Sequence, residues 1–122
     1  MITSVFGFNI NSVIGFNAIA PSDEDKLTVN DLYVLHVIAY NYRYLDKIDG
    51  GFVFLSPKKL TKEVPLLNID EKGMRRILKK LWRFCLIEVN VLNTHRPTAF
   101  NYLKLGSRFH EIIAESLLGT DV

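Results

Sequence analysis

The sequence predicts an α+β fold: a three-helix core, a β-hairpin after the third helix, an extra N-terminal strand or hairpin, and a C-terminal helix. Hydrophobic residues recur at helical spacing over residues 28–45 and again from Met74 to Cys85, whereas 86–92 and 99–105 are short apolar runs separated by a polar turn. The chain has 122 residues, 48% of them hydrophobic, enough for one core without metal or disulfide support. Its single cysteine, Cys85, excludes an intrachain bridge and a cysteine-based zinc cluster, and fits a reducing cytoplasm. Set in an apolar helical stretch, Cys85 reads as a buried structural residue.

Residues 1–22 carry no charged side chain. Ala18-Ile19-Ala20 has the look of a secretory cleavage site, but no Lys or Arg precedes the apolar stretch, and Asn9, Asn11 and Asn17 interrupt it. The same asparagines make a membrane span expensive. Alternating Phe6, Phe8 and Ile10 fit one strand, Ile14, Phe16 and Ala18 a second, with Asn11-Ser12 as the turn. This segment is expected to cover the core or to contact a second subunit, with residues 23–122 forming the main domain.

In the main domain, Thr28 and Asp31 have the spacing of a capping box, and Leu32, Leu35, Ile38, Ala39 and Tyr42 follow at helical intervals. Paired glycines, Gly50-Gly51, mark a turn before a short strand at Phe52–Leu55. Ser56 followed by Pro57 is a helix start, an N-cap hydroxyl with proline at the first helical position, and Pro65 ends that helix. Asn68 or Asp70 caps a third helix. Met74, Ile77, Leu78, Leu81, Trp82 and Cys85 form its inward stripe, leaving Lys72, Arg75, Arg76, Lys79, Lys80 and Arg83 outside. Strands are expected over 86–92 and 99–105, and Ser107 is expected to cap a last helix carrying Phe109, Ile112, Ile113, Leu117 and Leu118.

Helix, strand, helix, helix, hairpin, helix is the order of a winged helix-turn-helix domain, and the run LTKEVPLLNIDEKGMRRILKKLWRFCLIEV at 60–89 resembles the core of bacterial and phage members of that superfamily. Leu60, Val64, Met74, Arg75, Arg76, Leu78, Leu81, Leu86 and Ile87 occupy the positions that carry the likeness. RPTAFNYLKLG at 96–106 is similar to the second half of many wings. The resemblance covers about residues 28–118. The turn Pro65-Leu66-Leu67-Asn68-Ile69 is longer and more apolar than the family's usual turn, which leaves the register of the recognition helix, and with it the contact assignments, open by a residue or two. A weaker likeness links the chain to phage and plasmid replication-initiator domains.

Net charge is +2, but its distribution is uneven: net −3 over residues 1–51, +8 over 52–110 and −3 over 111–122. An excess of that size on a small domain points to a polyanion. The resemblance implies sequence-specific binding of double-stranded DNA, with Lys72, Arg75, Arg76 and Lys79 on the helix that enters the major groove. Lys58, Lys59 and Lys62 on the preceding helix would meet phosphates, and His95 and Arg96 at the wing tip a phosphate or an adjacent minor groove. Glu71 suits the helix N-terminus. A homodimer is expected, because one small module offers little site length, and transcriptional regulation or plasmid and phage replication, partition or transfer are the roles implied.

A cationic helix face is also how an ordinary solvated face reads, and a winged-helix module that binds an acidic protein would show the same charge pattern. Tyr40, Tyr42 and Tyr44 are explained by helix packing or by a partner surface. His36, His95 and His110 lie on three elements and share no metal-ligand spacing, and no phosphate loop or nucleophile motif is present. The expected protein is therefore no enzyme and takes no cofactor, metal or small-molecule ligand. Its expected location is the cytoplasm, with the nucleoid.

Overall fold

The computed structural model describes residues 3–90 and 100–113. Among these, five strands and four α-helices follow in order: β1 (Ser4–Val5), β2 (Phe8–Asn9), α1 (Ile10–Ala18), α2 (Val29–Tyr44), β3 (Val53–Phe54), α3 (Pro57–Glu63), α4 (Glu71–Arg83), β4 (Ile87–Val89) and β5 (Tyr102–Leu105). The class is α+β, with two small antiparallel sheets, β1-β2 and β3-β5-β4.

The N-terminal segment departs from its expected form. A hairpin is present, but it turns at Phe6-Gly7, and the expected second strand is helix α1. Asn9 decides this: its Oδ1 accepts from Ser12 N at 3.0 Å, an N-cap where Asn11-Ser12 had been expected to turn. In the helix the alternating residues Ile14 and Phe16 fall on opposite sides, Ile14 exposed and Phe16 buried, and Val13 and Phe16, three apart, form the buried pair. Phe8, Val13 and Phe16 join the same core as α2 and α4. The Asn17 side chain bonds both Leu27 N and Leu27 O, at 2.7 and 3.1 Å, fastening α1 to the approach to α2.

The expected capping box opens α2. Asp31 N donates to Thr28 Oγ1 at 3.3 Å, and Thr28 N donates to Asp31 Oδ2 at 2.7 Å. The same Oδ2 accepts from Thr28 Oγ1 at 3.0 Å and from Lys80 Nζ at 2.8 Å, so a carboxylate only 2% exposed is fully partnered. Leu32, Val34, Leu35 and Ile38 form the inner face of α2, while Tyr42 donates to Gly51 O at 2.8 Å. Ser56 and Pro57 start α3 as expected, Ser56 Oγ accepting from Lys59 N at 3.2 Å. Asp70, not Asn68, caps α4, its Oδ1 accepting from Gly73 N at 2.8 Å. Asn68 instead takes a left-handed conformation, φ 50°, closing a short 3-10 turn at Pro65–Leu67.

The sheet seats β5 between β3 and β4, with Leu103 opposite both Val53 and Val89. Opposed Glu88 and Lys104 form a cross-strand ion pair at 3.2 Å. Inward-facing Val53, Ile87 and Leu103 close on Met74, Leu78 and Leu81 of α4, all without exposed surface. Each such side chain contributes about 1.5–3 kcal/mol through removal from water.

Two expectations about the end of α4 are corrected. Trp82 is exposed, edge-on to Phe100, so the inward stripe is narrower than its apolar letters suggested. Cys85 is neither helical nor buried. It lies past the helix end at φ 60°, exposed, with Leu86 N donating to Leu81 O at 3.0 Å and Cys85 N to Trp82 O at 2.9 Å. Those two bonds make a Schellman reversal, whose left-handed residue turns its side chain to solvent and is ordinarily glycine. Gly106 packs against the same reversal, where an added Cβ would lie 2.1 Å from Cys85 O. Over the described part of the expected last helix, residues 107–113, there is a 3-10 turn at Phe109–Glu111 preceded by Arg108 and not capped by Ser107, while Leu117 and Leu118 lie outside the described residues. Ile112 is buried there, its carbonyl accepting from Asn9 N at 2.8 Å, which ties β2 to the end of the described chain.

Removing either partner of the buried Asp31–Lys80 pair leaves an uncompensated charge. Asp31→Ala is expected to cost about 3–5 kcal/mol in urea unfolding, more than an exposed carboxylate would. Cys85→Gly is expected to raise stability by about 1 kcal/mol, because glycine takes the left-handed conformation without a Cβ clash.

Candidate nucleic-acid interface

A cationic surface is built by two helices joined through the Pro65–Leu67 turn and packed against each other, with Leu60, Val64, Met74 and Leu78 buried in the same core beneath. At 3.6 residues per turn, the side of α4 opposite Met74, Leu78 and Leu81 presents Lys72, Arg76, Lys79 and Arg83 in one row. These residues are spaced by four, three and four positions, a line roughly 16 Å long. All four are exposed, and no carboxylate shares the row. On α3, Lys58 and Lys62 stand one turn apart on the exposed side, and the half-buried Lys59 lies beside them.

Ion pairing separates the lysines and arginines into two sets. Lys26, Arg75, Lys80, Arg83, Lys104 and Arg108 each lie within 4.0 Å of a carboxylate. Lys58, Lys59, Lys62, Lys72, Arg76 and Lys79 have no such partner among the described residues. These six all lie on α3 and α4, and the sequence nominates each for DNA contact; Arg43 on α2 and Lys47, whose ammonium donates to the Tyr42 and Leu45 carbonyls, also have no carboxylate within 4.0 Å among the described residues but belong to other parts of the fold.

Arg75 differs from its neighbour. Its Nη2 is held 3.2 Å from Glu71 Oε2, one turn back on the same helix, and it projects toward the edge of the buried stripe. Lys80 points inward to Asp31, and Arg83 at the far end of the row reaches Asp25 at 3.3 Å. Of the two adjacent arginines, Arg76 is therefore the one whose guanidinium is available for a base or a phosphate. His95 and Arg96 lie outside the described residues.

No match was found among protein-family models, curated proteins or solved structures. The chemistry of the site consequently rests on the chain's own geometry.

Sequence reasoning missed Leu66, 87% exposed at the tip of the turn between α3 and α4. The clustering of Pro65, Leu66, Leu67 and Ile69 gave no means of telling which apolar residue faces out; Leu67 and Ile69 pack against the core. A cavity of about 280 Å³ lies near the end of α4, lined by Ile19, Pro21, Asp25, Lys80, Arg83, Phe84 and Arg108. Its cations are already engaged by Asp31, Asp25 and Glu111. Among the described residues no group of three or more His, Cys, Asp or Glu side chains is placed to hold a metal ion, and no helix is long and apolar enough to cross a membrane.

Like charges three and four residues apart on a helix are mutually destabilising by roughly 0.2–0.5 kcal/mol per pair. The triple variant Lys72→Gln, Arg76→Gln, Lys79→Gln is therefore expected to be at least as stable as the wild type, with an equal or higher urea midpoint. A marked loss of stability would show that these side chains hold the fold together instead of serving a ligand.

Proposed function

We propose that this chain binds double-stranded DNA sequence-specifically as a winged helix-turn-helix module. In this reading α2, α3 and α4 are the three-helix core, α4 is the recognition helix, and β4 and β5 are the stems of the wing. The strand order β3-β5-β4 and the sequence order helix, strand, helix, helix, strand, strand support it. The observation that carries it is the set of unpaired cations on α3 and α4. So many like charges held beside one another repel, and a polyanion that fits between them removes the repulsion.

Lys72, Arg76 and Lys79 meet the major groove, Arg76 by a bidentate contact to a guanine edge. Lys58, Lys59 and Lys62 position the duplex through its phosphates. His95 and Arg96 enter this reading on the sequence alone, as contacts to a phosphate or an adjacent minor groove. Two copies on one duplex would supply the site length that one module lacks, in transcriptional regulation or in plasmid or phage replication, partition or transfer, with the protein at the nucleoid.

Fluorescence anisotropy of a mixed-sequence duplex at several salt concentrations tests this reading. Neutralising about five phosphates gives a slope of log affinity against log salt of roughly −4.5, and Lys62→Gln reduces it by about 0.9. Arg76→Gln is expected to weaken binding to a selected site by about 1–3 kcal/mol, whereas Arg75→Gln has a smaller effect. Absence of binding at low salt overturns the proposal in favour of an acidic protein partner.

A further inference from the structure

The outer face of α2 has no use in the reading above. Opposite the buried Leu32, Val34, Leu35 and Ile38, this helix presents Val29, Tyr33, His36, Tyr40 and Tyr44, spaced by four, three, four and four residues. Val29, Tyr40 and Tyr44 are 61, 60 and 67% exposed. The Tyr40 and Tyr44 rings touch at 5.1 Å. Phe6, at the tip of the β1-β2 hairpin with φ 54°, stacks on Tyr33 at 5.2 Å and 7° and leans on His36 at 5.7 Å. The strip runs about 22 Å along the helix. Contiguous exposed aromatic surface of this kind marks an interaction site, and tyrosine is favoured at such places.

We infer that a second copy of this chain occupies this face, the two α2 helices packing antiparallel about a two-fold axis that passes between His36 and Val37. The pattern is self-matching. Positions equidistant from that point are Val29 and Tyr44, Tyr33 and Tyr40, and Asn30 and Arg43. In an antiparallel pair a small Val29 therefore meets a large Tyr44, and the Phe6-backed Tyr33 meets Tyr40, twice over by symmetry. An isologous interface requires this kind of self-complementarity.

Charge also selects a second copy. Residues 3–22 carry no charge, and along α2 the only ionic side chains are Asp31, which is buried, and Arg43. Arg43 would face the uncharged Asn30 of its counterpart. Two copies can thus meet here without opposing like charges, which their α3 and α4 surfaces cannot do. Antiparallel helix dipoles add a favourable contribution. The inference names the interface for the homodimer proposed above, yet it concerns a surface separate from the cationic one.

Sedimentation of the full chain without DNA tests it, so that its failure is distinct from a failure of DNA binding. The expected result is a shift from 14.0 kDa to twice that mass as concentration rises through roughly 1–200 µM, the range of a small interface. Tyr40→Glu, at an exposed position, is expected to raise the dissociation constant roughly tenfold or more while leaving the circular dichroism melt unchanged. In a Cys85→Ser background, His36→Cys should be joined by a short bis-maleimide, its two copies about 10 Å apart across the axis. Asn30→Cys should not, because its copies lie about 20 Å apart along the helices. A monomer at every concentration overturns the inference and leaves the face to a different chain. A dimer indifferent to Tyr40→Glu, or one joined through Asn30→Cys and not His36→Cys, overturns it as well.

Discussion

One carboxylate, Asp31, joins the beginning of the fold to the middle of its most charged helix. A single oxygen accepts from the Thr28 amide, the Thr28 hydroxyl and the Lys80 ammonium, all within 3.0 Å. The capping box fixes where α2 begins, and the ion pair fixes how α4 lies against it. Lys80 also donates to Lys26 O at 3.1 Å, so the loop entering α2 is held by the same side chain. In a site this shielded from water a partnerless charge costs several kcal/mol, so the two helices hold one relative position.

That constraint organises the cationic surface. Because Lys80 is drawn inward, the side of α4 it occupies belongs to the interior, and Lys72, Arg76 and Lys79 are rotated out together. Glu71 then takes Arg75, and Asp25 takes Arg83. Glu71 and Asp25 thus meet cations at the borders of the surface and leave Lys72, Arg76 and Lys79 between them unpaired. A helix with the same letters and a different rotation would expose Arg75 and bury Arg76. It is the orientation, more than the count of cations, that leaves this face an unopposed cationic surface.

Elsewhere the fold depends on local devices at the ends of elements. Asn9, Thr28, Ser56 and Asp70 each supply a side-chain oxygen to an otherwise unpartnered amide at a helix start. The Schellman reversal at Cys85 sends the chain directly from α4 into β4. The approach of Gly106 to Cys85 O then lets β5 lie beside β4 and leads the chain back to the N-terminal hairpin. In this way the uncharged opening segment becomes part of the same core, and of its side chains Phe6 lies on the outer face of α2, against Tyr33 and His36.

Signals confined to one turn of chain were legible in the letters. The capping box of α2, the serine and proline that start α3, the helical periodicity of α2 and α4, the paired apolar runs of β4 and β5 and the central basic excess all depend on neighbours a few residues apart. Such local interactions act in any tertiary setting. The choice of helix over strand at residues 10–18, the exposure of Cys85, Trp82 and Leu66, and the roles of Arg75 and Arg76 were not legible. Some turn on local alternatives of nearly equal energy, such as Asn9 capping a helix against Asn11-Ser12 turning a hairpin, or Cys85 in a left-handed reversal; the others depend on a rotation of a few tens of degrees about a helix axis. Sequence alone determined which elements form and that their charge is segregated; only the tertiary structure decided which cations are neutralised, because that requires carboxylates such as Asp25 and Asp31 to arrive from some fifty residues away.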